Sequence, residues 1–329
     1  MGKLFEKGAR VAFIGDSITR NGLAVSHVQN YYLKHLPERE VRIYNLGIAG
    51  DTATGALDRL DEIMSVSPTE AVVMFGVNDM GLGYYGKEPT EAQLASRESC
   101  RRSHTAAICR LVRELEERGI PVTLSSAVGR DEHTPAAPED TTVSYGATDA
   151  LLAMYRANIA AIGEGRLKST VDYLSPLGAL QAELAAMGAP SLFLPDRTHP
   201  SFLGQEVMAR IFLASQGLPV ALPTAAEIAG GWRLPPLDAR VRAIHCVSQK
   251  IRYLHWIYPR QKSRTEGMDR AARIAFWLAE AEKVDPTKDW YARYCFEMYR
   301  YYAENAAREP EYAEKLEALT MALYDSANA

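Results

Sequence analysis

Short, uninterrupted runs of apolar and β-branched residues recur along the first part of the chain, separated by longer mixed segments. These runs predict buried strands at residues 10–15, 41–47, 71–76 and 120–128. A weaker candidate for a further strand lies at residues 171–176. Because each run is continuously apolar rather than alternating, we expect a parallel sheet that is covered on both faces.

The longer segments carry apolar residues at helical spacing. In the first of them, Val25, Val28 and Tyr32 fall on one stripe, which indicates an amphipathic helix. We predict helices at residues 24–36, 99–119, 145–162 and 200–217. This alternation of strands and helices predicts a three-layer α/β fold, in which ligands bind beyond the carboxyl ends of the strands.

Two segments interrupt the alternation. Residues 129–149 are polar and rich in proline and threonine, so we expect a long surface loop that is either a lid or loosely ordered. Residues 217–237 are rich in proline and glycine, and residues 238–329 are aromatic and helical in pattern. We therefore divide the chain into an α/β domain at residues 1–216, a connection at 217–237 and a helical appendage at 238–329.

The composition is that of an ordinary globular protein, with 47% hydrophobic and 24% charged residues. A formal net charge of −4 gives no electrostatic reason to expect nucleic acid or a membrane as a partner. The apolar run near the N-terminus is too short for a signal peptide, and no apolar stretch is long enough to span a bilayer. With four scattered cysteines, we expect a cytoplasmic protein with reduced thiols.

Polar residues suited to catalysis follow three of the predicted strands. Ser17 comes after the first strand, Gly50 after the second and Asn78 after the third. Because parallel strands end at one edge of a sheet, a hydroxyl, a glycine backbone N–H and a side-chain amide would face the same region. Taken alone, each stretch is more typical of an ordinary turn with no chemistry attached.

An acid and a histidine follow later in the chain. Asp196 and His199 lie in a short segment between Pro195 and Pro200, just before the last helix predicted in the α/β domain. An acid beside an imidazole can keep one ring nitrogen protonated, which leaves the other to accept a serine proton. A metal site is disfavoured, because no second histidine or carboxylate cluster lies at ligand spacing.

Four blocks in order resemble the SGNH, or GDSL-type, hydrolases over roughly residues 8–216. The blocks are Gly15-Asp16-Ser17, NLGIAG with Gly50, GVND with Asn78, and DRTH with Asp196 and His199. The resemblance implies a flavodoxin-like three-layer α/β/α sandwich and an ester hydrolase that needs no metal or organic cofactor. One departure is Ile18, where the name motif has leucine, and it touches no catalytic role.

The resemblance also implies a role for each of these residues. Ser17 would be the nucleophile, His199 the general base and acid, and Asp196 the residue that orients His199. The oxyanion hole would consist of the Ser17 and Gly50 backbone N–H groups and the Asn78 side-chain amide.

Members of that family hydrolyse acetylated carbohydrates, aryl esters, lipids and acyl thioesters. Because the sequence shows neither a secretion signal nor a broad apolar surface, we expect a small-acyl esterase such as a carbohydrate O-acetyl esterase. An arylesterase, lipase or acyl-thioesterase with the same residues stays open, as does a catalytically silent sugar-binding module. Arg20, Tyr84 and Tyr85 lie beside the blocks and are candidate pocket residues. The expected partners are a small-molecule ester and a second copy of the chain, bound through the aromatic C-terminal helices.

Overall fold

The computed structural model describes residues 3–136, 140 and 142–325, with the backbone alone for Glu164. This part of the chain divides into two compact units, one ending at Asp238 and the other beginning at Ala239. All four cysteines are free thiols.

The first unit is built on a five-stranded sheet in which every pair of neighbouring strands is parallel. The strands are β1 (Arg10–Gly15), β2 (Arg42–Gly47), β3 (Glu70–Met74), β4 (Val122–Ser125) and β5 (Ser169–Val171). Their order across the sheet is β2-β1-β3-β4-β5, which is the flavodoxin-like order. The predicted parallel sheet is therefore confirmed.

Helices connect the strands of the first unit. They are α1 (Ser17–Asn21), α2 (Leu23–His35), α3 (Ala53–Asp58), α4 (Leu60–Met64), α5 (Glu91–Glu116), α6 (Ala147–Ile162), α7 (Leu174–Ala186), α8 (Phe202–Ser215) and α9 (Ala225–Ala229). Single 3₁₀ turns lie at Pro37–Arg39, Leu82–Tyr84 and Glu164–Arg166.

The first strand shows why its apolar run is uninterrupted. Val11 and Phe13 point to one face of the sheet and join a core cluster that contains residues of α2 and α8. Ala12 and Ile14 point to the other face and pack with residues of α3 and α5. Both faces are covered, which confirms the three-layer α/β/α sandwich.

Several predicted elements have different bounds in the structure; the strand predicted at residues 120–128, for example, spans only Val122–Ser125. The strand expected at residues 171–176 ends at Val171, because the Asp172 side chain accepts the Ser175 N–H at 3.1 Å as the chain enters α7. The helix expected to start at residue 99 starts at Glu91. There Thr90 and Gln93 form a capping box, in which each side chain bonds the other residue's backbone N–H.

The second unit is helical in the residues that the structure describes, as its sequence pattern predicts. Its helices are α10 (Ala239–His255), α11 (Arg270–Glu282), α12 (Trp290–Asn305) and α13 (Glu309–Met321). Single 3₁₀ turns lie at Lys262–Thr265, Ala306–Arg308 and Ala322–Tyr324. Its core is aromatic: the buried Trp277 of α11 stacks against Tyr299 of α12 with ring centroids 5.0 Å apart.

Candidate active site

The candidate site lies where the strand order reverses. From β1 the chain first forms β2 on one side of β1 and then crosses over to form β3 on its other side. In parallel α/β sheets, the crevice beyond the carboxyl ends at such a switch point is the usual ligand site. Ser17 follows β1 and Asn78 follows β3, so this topology brings both residues to that crevice.

Ser17 is the first residue of the short helix α1. The preceding residue, Asp16, caps this helix: its Oδ1 accepts the Ile18 N–H at 2.9 Å. The first backbone N–H groups of a helix have no acceptor within the helix, so the Ser17 N–H is available to a bound group. A polar cap and a tight strand-to-helix turn therefore hold both the Ser17 hydroxyl and its backbone donor in place.

Helix α1 is fastened to the end of β2. The Asn45 side-chain nitrogen donates to Thr19 O at 2.8 Å, and Asn45 Oδ1 accepts the Gly47 N–H at 2.9 Å. Any side chain at Gly47 would place its Cβ 2.3 Å from the backbone nitrogen of Arg20. Only a shift of the backbone could relieve this steric clash. The missing side chain lets the two elements approach, and this approach brings the loop after β2 close to Ser17.

Ser17, His199 and Asp196 form a continuous chain of hydrogen bonds. The Ser17 Oγ lies 2.7 Å from His199 Nε2, and His199 Nδ1 lies 2.6 Å from Asp196 Oδ2. The other carboxylate oxygen of Asp196 accepts the backbone N–H groups of Thr198 and His199, each at 2.9 Å. The structure thus brings the three residues together in the order that nucleophilic catalysis by serine requires.

The Asp196 carboxylate is held in its ionised form. Partial burial alone would raise its pKa, but hydrogen bonds from the His199 ring and from the His199 and Thr198 N–H groups outweigh that effect and lower the pKa to about 2. An ionised Asp196 at Nδ1 keeps the proton on that nitrogen, so Nε2 can accept the proton of Ser17.

Arg197 anchors the segment from Asp196 to His199 through hydrogen bonds of its side chain. This residue has a left-handed backbone, with φ 59, and a buried side chain. Its guanidinium donates to the carbonyl oxygens of Asp131, Thr134 and Pro135, at 2.8 to 3.2 Å. These bonds tie the histidine segment to the loop that follows β4.

Arg130 provides a second tie between the same two segments. Its guanidinium donates to the Thr198 hydroxyl, to the Ser144 hydroxyl and to the Thr142 carbonyl. Burial lowers the pKa of Arg130, and the nearby Asp196 charge opposes that shift. The described part of loop 129–149 is thus joined to the segment that carries Asp196 and His199.

The two other expected oxyanion donors lie on neighbouring loops. Gly50 follows β2 with a left-handed backbone, φ 70, which favours glycine because a side chain would be strained there. Asn78 follows β3, and its Nδ2 donates one hydrogen to Asp51 O at 2.8 Å. An amide nitrogen carries two hydrogens, so the bond to Asp51 fixes the amide and leaves one hydrogen for a ligand.

A cavity of about 220 Å³ opens beside Ser17 and His199. Arg20, Asn21, Leu194 and Gln205 are among the residues that line it. Of the three pocket candidates from the sequence, Arg20 lines this cavity.

The other two pocket candidates, Tyr84 and Tyr85, do not line this cavity. Tyr85 is buried, with the Arg97 guanidinium 4.1 Å from its ring centroid. Tyr84 ends a 3₁₀ turn and has 36% of its surface exposed.

The sequence alone did not identify the two arginines that tie the segment with Asp196 and His199 to the loop after β4. Arg130 and Arg197 act over sequence separations of 62 to 68 residues, which no local pattern reveals. The one available signal was the position of Arg197 between Asp196 and His199.

In the part of the chain that the structure describes, no group of three histidine, cysteine or acidic side chains is arranged to hold a metal ion. None of the described helices is both long enough and apolar enough to cross a membrane.

Comparison with known proteins identifies the family. The profile of the GDSL-like Lipase/Acylhydrolase family matches residues 13–207, which include all of the candidate catalytic residues. The chain belongs to this family and is an ester hydrolase. No curated protein sequence gives a significant match.

Several solved structures are similar to this chain. A gut microbial diltiazem-metabolizing enzyme matches at 19% identity with a TM-score of 0.74, covering 98% of this chain and 96% of the other. A GDSL-like lipase from Parabacteroides merdae ATCC 43184 matches at 17% identity with a TM-score of 0.50, covering 66% and 99%. An acetylxylan esterase from Geobacillus stearothermophilus matches at 23% identity with a TM-score of 0.48, covering 65% and 96%.

Proposed function

We propose that the protein is a small-acyl esterase that acts through an acyl-enzyme on Ser17, with a carbohydrate O-acetyl ester as its natural type of substrate. The observation that carries this proposal is the hydrogen-bonded chain from Ser17 Oγ through His199 to Asp196. Family membership supports ester hydrolysis in general, and the substrate class rests on the volume and lining of the cavity.

In the first half of the reaction, Ser17 Oγ attacks the ester carbonyl while its proton passes to His199 Nε2. Asp196, already ionised, stabilises the imidazolium through Nδ1. The carbonyl oxygen becomes an oxyanion, which the Ser17 and Gly50 N–H groups and the Asn78 amide would stabilise. His199 then returns the proton to the leaving alcohol, and the acyl group stays on Ser17.

In the second half, water replaces the alcohol. His199 Nε2 takes a proton from the water as it attacks the acyl carbonyl, and the same donors stabilise the second oxyanion. Collapse of this intermediate breaks the bond to Ser17 Oγ, which recovers its proton from His199. The products are a carboxylic acid and free enzyme, and all atoms are supplied by ester and water.

The cavity beside Ser17 argues for a small substrate with a polar part. Its volume of about 220 Å³ is below the range of pockets that enclose drug-sized ligands. The lining combines the apolar Leu194 and Pro200 with the polar Arg20 and Asn21. A short acyl group on a hydroxyl-rich alcohol matches this mixture better than a long alkyl chain does.

The decisive experiment measures the hydrolysis of p-nitrophenyl acetate by the wild type and by Ser17→Ala. We expect turnover by the wild type and a loss of at least about 10³-fold in kcat for the variant, because no other group at this site supplies the attacking oxygen. Thr19→Ser, a mild change on the same helix, is the matched control and should keep most of the activity. Equal turnover by Ser17→Ala and the wild type would refute the assignment.

A substrate panel then tests the finer proposal. Acetylated xylooligosaccharides, diltiazem, p-nitrophenyl octanoate and an acyl-coenzyme A thioester differ in acyl length, alcohol and leaving group. We expect the highest kcat/KM for short acyl esters of sugars. Preference for the octanoate or the thioester would instead support the lipase or thioesterase alternative, and failure on every ester would support a silent binding module.

A further inference from the structure

Two loops that carry the proposed oxyanion donors are linked at two points. Asn78 Nδ2 donates to Asp51 O at 2.8 Å, from the loop after β3 to the loop after β2. In the opposite direction, the Ala53 N–H donates to Asp79 Oδ1 at 3.0 Å. Because Gly50 directly precedes Asp51, these two bonds together set the separation between the Gly50 backbone and the Asn78 amide.

The Asp79 carboxylate contacts a buried histidine of α5, His104. The side chains of Asp79 and His104 are 6% and 1% exposed, and His104 Nδ1 lies 3.1 Å from Asp79 Oδ1. His104 Nδ1 and Asp79 Oδ2 are both buried, and neither makes a hydrogen bond of good geometry with any described residue, so the approach of Nδ1 to Oδ1 is a close polar contact. This carboxylate therefore depends on two neighbours, the Ala53 N–H and the His104 ring.

The hydrogen bonds of Asn158, on α6, define which ring nitrogen of His104 carries the proton. Asn158 Oδ1 accepts the Thr105 hydroxyl at 2.9 Å, and Asn158 Nδ2 lies 3.0 Å from His104 Nε2. An amide nitrogen can only donate, so Nε2 accepts and the proton sits on Nδ1, facing Asp79. Helices α5 and α6 thus hold the ring with its donor towards the loop after β3.

We propose that His104 is a positioning residue of this esterase, which acts through Asp79 to hold the Gly50 and Asn78 donors at the separation that an oxyanion requires. This proposal rests on the proposed function, because the donors matter only if an oxyanion forms between them. His104 touches no substrate. Its effect is on donor geometry, where small displacements weaken transition-state stabilisation more than substrate binding.

Three substitutions at one position separate the two contacts of the ring. An asparagine amide can take the place of Nδ1 and keep a donor towards Asp79, which His104→Asn tests. A glutamine amide reaches the position of Nε2, so His104→Gln keeps the link to Asn158 and loses the one to Asp79. His104→Leu keeps the volume and removes both contacts.

The expected result is a change in kcat without a matching change in KM. We expect His104→Gln and His104→Leu to lower kcat for p-nitrophenyl acetate by about 10- to 100-fold, less than the loss of a whole donor. His104→Asn should stay within about threefold of the wild type. Wild-type kcat in both His104→Gln and His104→Leu would overturn the proposal, as would an equal loss in all three variants.

A double-mutant cycle with Asn78→Ala tests whether His104 acts through the donors. If it does, His104→Leu has little further effect once the Asn78 amide is gone, so the two losses do not multiply. Independent, multiplying losses would show that His104 acts elsewhere and would overturn the proposal. A merely structural role would lower both backgrounds alike.

Val112→Ala, two turns further along α5, is the control for general destabilisation. Val112 is buried, so this variant should lower the melting temperature while keeping kcat within about twofold. The Ser17 and His104 variants test the proposed function and the positioning role separately. If Ser17→Ala is as active as the wild type, the hydrolase mechanism fails; if only the His104 variants behave as the wild type, the positioning role alone fails.

Discussion

At the scale of single residues, Asp16 stands out because a carboxyl group is buried directly beside the nucleophile. It is 1% exposed, and burial raises its pKa to about 7, against the opposing effects of the Ile18 N–H and His199. The charges of Asp79 and Asp51 add to the rise. Asp16 therefore changes its charge near neutral pH, in contact with the helix that carries Ser17.

This shift predicts a pH-dependent stability difference between the wild type and Asp16→Asn. The folded chain keeps the Asp16 proton up to about pH 7, whereas the unfolded chain releases it near 3.8. The resulting stabilisation is complete below pH 3.8 and is lost as the pH rises through 7. Asparagine keeps the cap without the charge.

We expect the stability of Asp16→Asn, relative to the wild type, to increase by up to about 3 kcal/mol between pH 5 and pH 8. Thermal unfolding at both pH values measures it. Asp61→Asn, at an exposed position, is the control and should show no such change. An identical difference between Asp16→Asn and the wild type at both pH values would contradict the prediction.

Also at this scale, the proposed catalytic residues were predictable and their supports were not. Ser17, Gly50 and Asn78 each follow a strand within a few residues, so the sheet alone brings them to one edge. His104 and Asp79 form a pair only through the packing of α5, across 25 positions of sequence. No sequence motif near either residue predicts that the two side chains are in contact.

At the scale of elements, hydrophobic pattern predicted most of the first unit because both faces of its sheet are covered. The bounds were poorer where a polar side chain decides them. Thr90 and Gln93 begin α5 eight residues before the start predicted at residue 99, and Asp172 ends β5 early. Such caps act on backbone N–H groups, which an apolar pattern does not register.

The segment that carries Asp196 and His199 provides the prediction at this scale. Removing the Arg197 guanidinium should loosen the segment from the three carbonyls that it bonds, and lower kcat/KM by about 10- to 100-fold. Arg197→Gly is the informative variant, because glycine adopts the left-handed backbone without strain. Steady-state kinetics with p-nitrophenyl acetate measures the effect.

Glu40→Gly is the matched control for Arg197→Gly. Glu40 is exposed and has a similar backbone, φ 50, so glycine there relieves the same strain without removing a brace. We expect Glu40→Gly to keep its activity. If Arg197→Gly also keeps full activity, the brace has no bearing on the position of His199.

At the scale of the whole molecule, the chain carries more than its family profile covers. The profile ends at residue 207, whereas the match to the gut microbial diltiazem-metabolizing enzyme extends over 98% of the chain. The fold of the second unit therefore has a solved counterpart. What that unit does was not predictable from sequence, because its aromatic residues serve equally well in a core and at an interface.

We propose that the second unit joins two copies of the chain, as its aromatic helices suggest. Trp290 and Tyr291, at the start of α12, have 78% and 56% of their surface exposed, and Leu278 of α11 has 45%. We expect the wild type to sediment as a dimer and Trp290→Glu to shift it towards the monomer. Lys288→Gln, which changes the charge equally, should remain dimeric. A wild type that sediments as a monomer at high concentration would contradict the proposal.

The hydrogen bond between Ser17 and His199 joins residues that are 182 positions apart in the sequence. During synthesis on a ribosome, the nucleophile emerges long before its base has been made. A nascent chain, or one truncated before His199, would therefore have no esterase activity, and hydrolysis would begin only when the whole sheet had formed. Ester turnover can thus serve as a direct signal of completed folding in a translation reaction or in a library of fragments.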